Sequence, residues 1–210
     1  MLQTLTARRL LTPQGTLDHP IIRIEDGLIC SIDSASSSRE ETTLTPAFLD
    51  VHTHGAANHD VMEGTPEALA AISRFLATRG VGRYLATTVT APIDKTLRSL
   101  EGIADAIESP VHGAAVPIGI HLEGPFISHA KRGVHPPADI LPPDLALFDR
   151  FQQAARGHVC LMTIAPEIPG ARDLIAHAAK QGVKLSIGHT NATAPEAEAA
   201  IAAGATSATH

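Results

Sequence analysis

Four apolar segments of this chain end in residues that commonly bind metal ions. They are residues 49–55 (LDVHTHG), 116–123 (VPIGIHLE), 183–189 (VKLSIGH) and 205–210 (ATSATH). A carboxylate or an imidazole at the end of a buried strand is costly unless a partner compensates it, and a metal ion is a suitable partner. Parallel α/β barrels place their functional groups at the C-terminal ends of the strands. The repetition therefore predicts a parallel α/β barrel with a metal site at one end.

The pattern from residue 46 onward alternates between strands and helices. Strands are predicted at 48–52, 83–88, 116–122, 159–165, 183–187 and 205–209. Helices are predicted at 66–78, 94–107, 143–155, 171–181 and 195–203, with Asp94 as the cap of the second. This alternation indicates repeated βα units and a parallel sheet. About six βα units are present, whereas a closed TIM-like (β/α)8 barrel contains eight.

Residues 1–45 have a different pattern, which predicts a small β module. Pro13-Gln14-Gly15 is typical of a turn, and residues 21–32 predict a hairpin with Glu25-Asp26-Gly27 at its tip. A module of this size is too short to be stable by itself. We expect it to be part of a β-sandwich beside a larger domain, residues 46–210, which forms the incomplete barrel and carries the metal site.

Composition excludes several classes of function. The formal net charge of −6 argues against nucleic-acid binding, and no segment is long and apolar enough to predict a membrane span. The N-terminus lacks the pattern of a signal peptide, and Cys30 and Cys160 lack the spacing of a metal or redox motif. These features predict a cytoplasmic protein with reduced thiols and with neither nucleic acid nor membrane as a partner. Histidine is unusually frequent, with 12 residues.

The candidate metal ligands are one glutamate and four histidines. His52 and His54 lie on the same side of an extended strand, because side chains alternate with period two. Glu123 precedes a Gly-Pro turn that can aim it inward, and Glu123, His189 and His210 together supply three ligands. His52 and His54 can hold a second ion or share the first. Because no thiolate is involved, the candidate ions are Zn²⁺, Fe²⁺, Mn²⁺ and Co²⁺.

Other polar residues near the strand ends allow two interpretations. His121 is interpreted as a core or supporting histidine rather than a ligand. Lys131 and Arg132 are as consistent with a solvated basic loop as with contact to an anionic substrate. His135, on the same loop, is predicted to be functional.

Several of these motifs resemble the N-acetylglucosamine-6-phosphate deacetylase family of the amidohydrolase superfamily. The matching segments are His-Leu-Glu-Gly-Pro-Phe at 121–126, Lys-x-Gly-x-His-x-Pro at 131–137, Gly-His-Thr-Asn-Ala at 188–192 and the terminal Thr-His. The order and spacing of the motifs also match, and the resemblance covers essentially the whole chain. It implies a metal-dependent hydrolase that converts N-acetylglucosamine 6-phosphate to glucosamine 6-phosphate and acetate, in amino-sugar catabolism.

The resemblance also implies roles for individual residues. Glu123, His189 and His210 match the ligands of the catalytic metal, and His52 with His54 matches positions that some members keep for a second metal. His135 and Gly124 match substrate-binding positions. The general acid/base aspartate and the last barrel strands are expected beyond residue 210, so the chain resembles an N-terminal portion. The implied protein binds one or two divalent ions per chain, takes an amino-sugar phosphate as substrate and forms a homodimer.

Two alternatives remain open at this point. Another amidohydrolase, such as a deaminase or a cyclic-amide hydrolase, uses the same scaffold. A metal- or sugar-phosphate-binding fragment without turnover is the other alternative.

Overall fold

The computed structural model describes all 210 residues, Met1–His210, as two compact units, Met1–Ala47 and Phe48–His210. The first unit contains the strands β1 (Leu2–Thr6), β2 (Arg9–Thr12), β3 (Gly15–Asp18), β4 (Pro20–Glu25), β5 (Leu28–Ser34) and β6 (Thr43–Leu44). The strands of the second unit are β7 (Phe48–Thr53), β8 (Gly55–Ala56), β9 (His59–Asp60), β10 (Val81–Thr88), β11 (Val116–Glu123), β12 (Val159–Ile164), β13 (Lys184–Ile187) and β14 (Ala205–Ala208). Its α-helices are α1 (Pro66–Thr78), α2 (Ile93–Glu108), α3 (Leu145–Ala154), α4 (Ala171–Lys180) and α5 (Ala194–Ala203).

Two three-stranded sheets make up the first unit, with the orders β1-β4-β5 and β3-β2-β6. The predicted hairpin is confirmed, since β4 and β5 pair antiparallel across Glu25-Asp26-Gly27. Asp26 and Gly27 both have positive φ, 49° and 81°, which suits the right-handed twist of a hairpin. The β-sandwich stays a prediction.

The second unit is built on one curled, parallel sheet of six strands in the order β7-β10-β11-β12-β13-β14. Strand follows strand in chain order with a helix between neighbours, which is the arrangement of a (β/α)8 barrel. The sheet amounts to a half-barrel, and β8 and β9 form a small separate hairpin after β7. The registers place the C-terminal ends of all six strands along one edge, which confirms the predicted fold class.

The hydrophobic core of this unit lies between the sheet and its helices. Tyr84, Ile120 and Met162 of the sheet are fully buried, and Leu100 and Phe148 cover them from the helices. Helix α1 begins after Thr65, whose hydroxyl accepts a hydrogen bond from the Ala68 amide. These amphipathic helices hold the six strands in register and so fix the spacing of the strand ends.

One local prediction was wrong. Helix α2 begins at Ile93 and its N-cap is Pro92, without a side-chain cap, so Asp94 lies inside the first turn. A carboxylate there still stabilises the helix through the N-terminal end of the helix dipole.

None of the helices combines the length and the apolar character that a membrane-spanning segment needs.

Candidate metal centre

Glu123 forms the centre of the site. It is the last residue of β11, and only 1% of its surface is exposed. One carboxylate oxygen, Oε2, lies 3.0 Å from Nε2 of His54 and 3.3 Å from Nε2 of His52. The other oxygen, Oε1, lies 3.1 Å from Nε2 of His189 and 3.3 Å from Nε2 of His210. The carboxylate therefore joins two pairs of imidazoles.

Each oxygen and its two imidazoles form a compact group of three possible ligand atoms. The groups are His52-His54-Glu123 and Glu123-His189-His210, and the atoms of each lie within 4.8 Å of one another. Strand β7 with the residue after it and strand β11 supply the first group, and β11 and the residues after β13 and β14 supply the second. The structure thus brings together all five residues that the sequence predicted as ligands.

The hydrogen bonds behind the imidazoles fix two of the rings. Nδ1 of His54 lies 3.1 Å from the Thr87 carbonyl oxygen, and Nδ1 of His189 lies 2.9 Å from the Lys131 carbonyl oxygen. A carbonyl only accepts, so each Nδ1 carries a proton, and in the neutral ring Nε2 presents a lone pair to Glu123. Two lone pairs at about 3 Å repel each other unless a cation lies between them, either a proton or a metal ion. Metal-binding histidines characteristically donate their other N–H in this way.

The charges of this cluster shift the pKa values of its members. Burial tends to raise the pKa of Glu123, but the hydrogen bond from His54 and the nearby imidazoles lower it to about 2. The hydrogen bond to Glu123 raises the pKa of His54, whereas burial lowers the pKa of His52. Glu123 is therefore ionised at neutral pH, which is the state that a metal ligand needs.

His135 lies beside the cluster on a different loop. It is 2% exposed, and its Nε2 is 4.0 Å from Oε2 of Glu123. Its Nδ1 accepts a hydrogen bond from the Thr90 amide at 3.2 Å, so the ring proton belongs on Nε2, which faces the site. Burial, followed by the charge of His189, lowers the pKa of His135 to about 4, so the ring is neutral at pH 7.

Gly124 makes room for that arrangement. Its φ is +82°, and a Cβ at this position would lie 2.1 Å from the hydroxyl oxygen of Thr90. A side chain would therefore displace Thr90, and Thr90 orients His135 through both its amide and its hydroxyl. The glycine lets the chain turn sharply after Glu123 while Thr90 and His135 stay close to the carboxylate.

Arg132, through its side chain, and Lys131, through its backbone carbonyl, both make hydrogen bonds at this loop. Arg132 donates to the His135 carbonyl oxygen at 3.0 Å, and the Lys131 carbonyl accepts from His189. These contacts hold the loop against the site.

His121 lies below the cluster and is 1% exposed. Its Nε2 is 2.8 Å from the Thr163 hydroxyl and its Nδ1 is 3.4 Å from the Thr87 hydroxyl. Both ring nitrogens are thus directed at protein hydroxyls, in line with its interpretation as a supporting residue. Burial lowers the pKa of His121 to about 4.

One residue that the sequence analysis missed is Glu167. It accepts hydrogen bonds from the Thr190 hydroxyl at 2.5 Å and from the Asn191 amide at 2.7 Å. These bonds hold the segment directly after His189. His189 itself has a φ of 48°, which is uncommon for a residue other than glycine. Its position in the sequence could have indicated it. Glu167 follows β12, and β12 is the only one of the last four strands of the large sheet to which the sequence analysis assigned no site residue.

Solved structures of the same fold cover the whole chain. A mutant of N-acetyl-D-glucosamine-6-phosphate deacetylase from Mycobacterium smegmatis, in complex with N-acetyl-D-glucosamine-6-phosphate, superposes with a TM-score of 0.86 at 30% identity. N-acetylglucosamine-6-phosphate deacetylase from Thermotoga maritima superposes with a TM-score of 0.84 at 29% identity. The matches cover 100% of this chain and 55% and 54% of those two chains. The chain therefore has the fold of the N-terminal portion of these deacetylases, which are TIM-barrel enzymes of the amidohydrolase type.

Curated proteins give the same result from sequence. The chain is 37% identical to N-acetylgalactosamine-6-phosphate deacetylase of Escherichia coli O157:H7, a match over 100% of the chain and 56% of that protein. It is 32% identical to N-acetylglucosamine-6-phosphate deacetylase of Bacillus subtilis, over 96% of the chain and 54% of that protein. No family model matches. The chain is thus related to the N-acetylglucosamine-6-phosphate deacetylases; it spans about half their length and corresponds to their N-terminal portion.

Proposed function

We propose that this chain supplies the metal centre of an enzyme that removes the acetyl group from N-acetylglucosamine 6-phosphate. The observation that carries the proposal is the buried Glu123 carboxylate between two pairs of imidazoles, His52 with His54 and His189 with His210. The names of the relatives, all deacetylases of N-acetylated sugar 6-phosphates, support the same reaction. Nothing specific to a deaminase or a cyclic-amide hydrolase accompanies this site.

The donor set suits a divalent ion that prefers nitrogen and oxygen ligands. We propose Zn²⁺, Fe²⁺, Mn²⁺ or Co²⁺, with one ion held by Glu123, His189 and His210 and a second by His52, His54 and Glu123. When bound, such an ion polarises the acetamide carbonyl and lowers the pKa of water.

The chain's own residues contribute binding and orientation. In the reaction the C–N bond of the acetamide breaks, water oxygen joins the acetyl carbon, and the sugar amine leaves with a proton. His135 directs its Nε2–H toward the site and is placed to donate a hydrogen bond to a substrate oxygen. By resemblance Gly124 is a substrate-binding position, and the absence of a side chain there lets Thr90 hold His135 beside Glu123. By resemblance, the aspartate that transfers the proton lies beyond residue 210.

A second substrate has a specific observation in its favour. The relative from Escherichia coli O157:H7 is named for N-acetylgalactosamine 6-phosphate, which differs from the gluco sugar only in the configuration at C4. Amide hydrolysis does not involve C4, so the same metal centre serves both sugars.

The experiment is an acetate-release assay with both sugar phosphates on the full-length protein, by which we mean the chain together with the C-terminal portion that its relatives have. We expect acetate release that depends on a divalent ion and that is faster with one of the two 6-phosphates than with unphosphorylated N-acetylglucosamine. A nucleoside and a cyclic amide serve as controls for the rival reactions. Turnover of either control without acetate release from the sugar phosphates would contradict the proposal.

His52 and His54, at the end of β7 and directly after it, give a separate prediction about metal content. If they hold a second ion, the full-length protein contains about two ions per chain, and replacing both His52 and His54 by Asn lowers the content by about one, because each ion needs several converging ligands. Elemental analysis of protein with known concentration measures this change. His59→Asn with His112→Asn is the matched control, since neither side chain belongs to the two ligand groups. A content that stays at one would show that the pair supports the site without holding an ion.

We further propose that the protein acts in the cytoplasm as a homodimer and has neither a nucleic acid nor a membrane as a partner. Net charge and composition support the last two points.

A further inference from the structure

A continuous chain of hydrogen bonds crosses the half-barrel directly below the metal centre. The Thr53 amide donates to the Thr87 hydroxyl at 3.0 Å, and that hydroxyl lies 3.4 Å from Nδ1 of His121. On the other side of the ring, Nε2 lies 2.8 Å from the Thr163 hydroxyl. The chain then continues from Thr163 to Thr209 at 2.8 Å and from Thr209 to Ser186 at 2.6 Å. Each of the six strands, or the residue following it, contributes one member.

The hydrogen bonds can run in a single direction. The Thr209 hydroxyl donates to Ser186, so its oxygen accepts from the Thr163 hydroxyl. Because the Thr163 hydroxyl donates its proton to Thr209, its oxygen accepts a hydrogen bond from Nε2–H of His121. The other ring nitrogen is left as the acceptor for Thr87. Every hydroxyl in the middle of the chain both donates and accepts, so none of these buried groups is left without a partner.

Members near both ends of this hydrogen-bond chain adjoin metal-ligand candidates. Thr53 lies between His52 and His54, and the Thr87 carbonyl accepts from the His54 ring. Thr209 directly precedes His210. Gly188, directly before His189, is closely covered by the same layer, since a Cβ there would lie 2.7 Å from Thr209 Cβ and 2.8 Å from Thr163 Cγ2. The layer thus touches the backbone beside all four histidines.

We propose that His121 and Thr163 are positioning residues that set the distance between the two halves of the metal centre. The inference rests on the proposed metal centre. Metal sites tolerate only small errors in ligand position, about 0.2 Å in distance. The registers of β10 with β11, β11 with β12 and β13 with β14 each shift once along the pair, so the strand ends gain from additional links between the strands. The side-chain hydrogen bonds cross these junctions and fix the strand ends relative to one another.

Thr163 is the best residue for the test because a shape-preserving substitution exists. Thr163→Val keeps the methyl group that packs on Gly188 and removes only the hydroxyl that joins His121 to Thr209. Thr163→Ser keeps the hydroxyl and serves as the rescue. Thr96→Val is the matched control: Thr96 is also buried, at 4% exposure, and its hydroxyl bonds only to the carbonyls of Ala91 and Pro92 at the start of α2.

The measurement is titration of metal-free full-length protein with Co²⁺, followed by visible absorption and by competition with a chelator. We expect Thr163→Val to weaken Co²⁺ binding about 10- to 100-fold and to alter the absorption bands, which report ligand geometry. Thr163→Ser and Thr96→Val should leave the Co²⁺ affinity and the absorption bands close to those of the unsubstituted protein. Thr209→Val breaks the next link and carries the test if Thr163→Val does not fold.

The outcomes separate this inference from the metal centre itself. Unchanged affinity and spectrum in Thr163→Val, with Co²⁺ lost in Glu123→Gln, would overturn the positioning role and leave the metal centre intact. A parent that binds no Co²⁺ would overturn both. A variant that loses thermal stability to the same extent as Thr96→Val, with unchanged Co²⁺ binding, would show that the hydroxyl is merely structural.

Discussion

Glu123→Gln is expected to remove the bound metal from the full-length protein. Each carboxylate oxygen of Glu123 faces two imidazole nitrogens, so the residue belongs to both ligand groups. Glutamine keeps the shape but replaces one oxygen by an NH₂ group, which cannot bind a cation, and it removes the negative charge that balances the ion. Both ions should therefore be lost or strongly weakened. Elemental analysis after gel filtration measures the content, and acetate release should fall with it.

The control for this substitution is Glu101→Gln, which makes the same change at an exposed position of α2. Circular dichroism of both variants shows whether the fold is kept. Stoichiometric metal in folded Glu123→Gln would overturn the assignment of the metal centre.

Residues 1–210, produced alone, are expected to self-associate and to lack deacetylase activity. The two outer strands of the six-stranded sheet, β7 and β14, each have a neighbour on one side only. On β7 the apolar side chains of Phe48, Leu49 and Val51 are 68%, 55% and 48% exposed. Unpaired strand edges with exposed apolar side chains pair readily with other chains. Light scattering coupled to gel filtration measures the mass in solution.

A pair of substitutions tests whether the β7 edge causes the association. Leu49→Lys places a charge on that edge and should increase the monomer fraction. Leu145→Lys is the control, because Leu145 is 39% exposed and lies on α3, which connects the inner strands β11 and β12. A monodisperse monomer of the unchanged chain would contradict the prediction.

The loss of activity follows from proton transfer. General acid/base catalysis contributes roughly 10² to 10⁴-fold in rate, and the resemblance places the aspartate that performs it beyond residue 210. The two aspartates closest in sequence to His52 and His54 have other roles: Asp50 accepts from the His52 amide, and Asp60 caps the short helix at Val61–Glu63. Turnover of N-acetylglucosamine 6-phosphate by the chain alone, near that of the full-length protein, would show that one of them replaces the missing group.

Much of the architecture could be predicted because its signals are local. Helix α1 lies at the predicted Pro66–Thr78, and the strand that ends in Glu123 was predicted to within one residue. These signals each span no more than about ten residues: the apolar periodicity, a proline in the first turn of a helix and a glycine after its last turn. The five ligand candidates could be selected for the same reason, since each ends a recognisable strand and parallel strands bring their ends to one edge.

The tertiary structure alone decided how those residues share the site. The hydrogen-bonded layer from Thr53 to Ser186 joins residues that are 23 to 46 positions apart in the chain. Which imidazole faces which oxygen of Glu123 depends on the same alignment of the strands. Glu167 was missed because its partners, Thr190 and Asn191, are 23 and 24 residues away. Periodicity specifies the face of a strand that a residue occupies. Contacts between strands are set by the packing of the helices and by the sheet as a whole, which no short segment encodes.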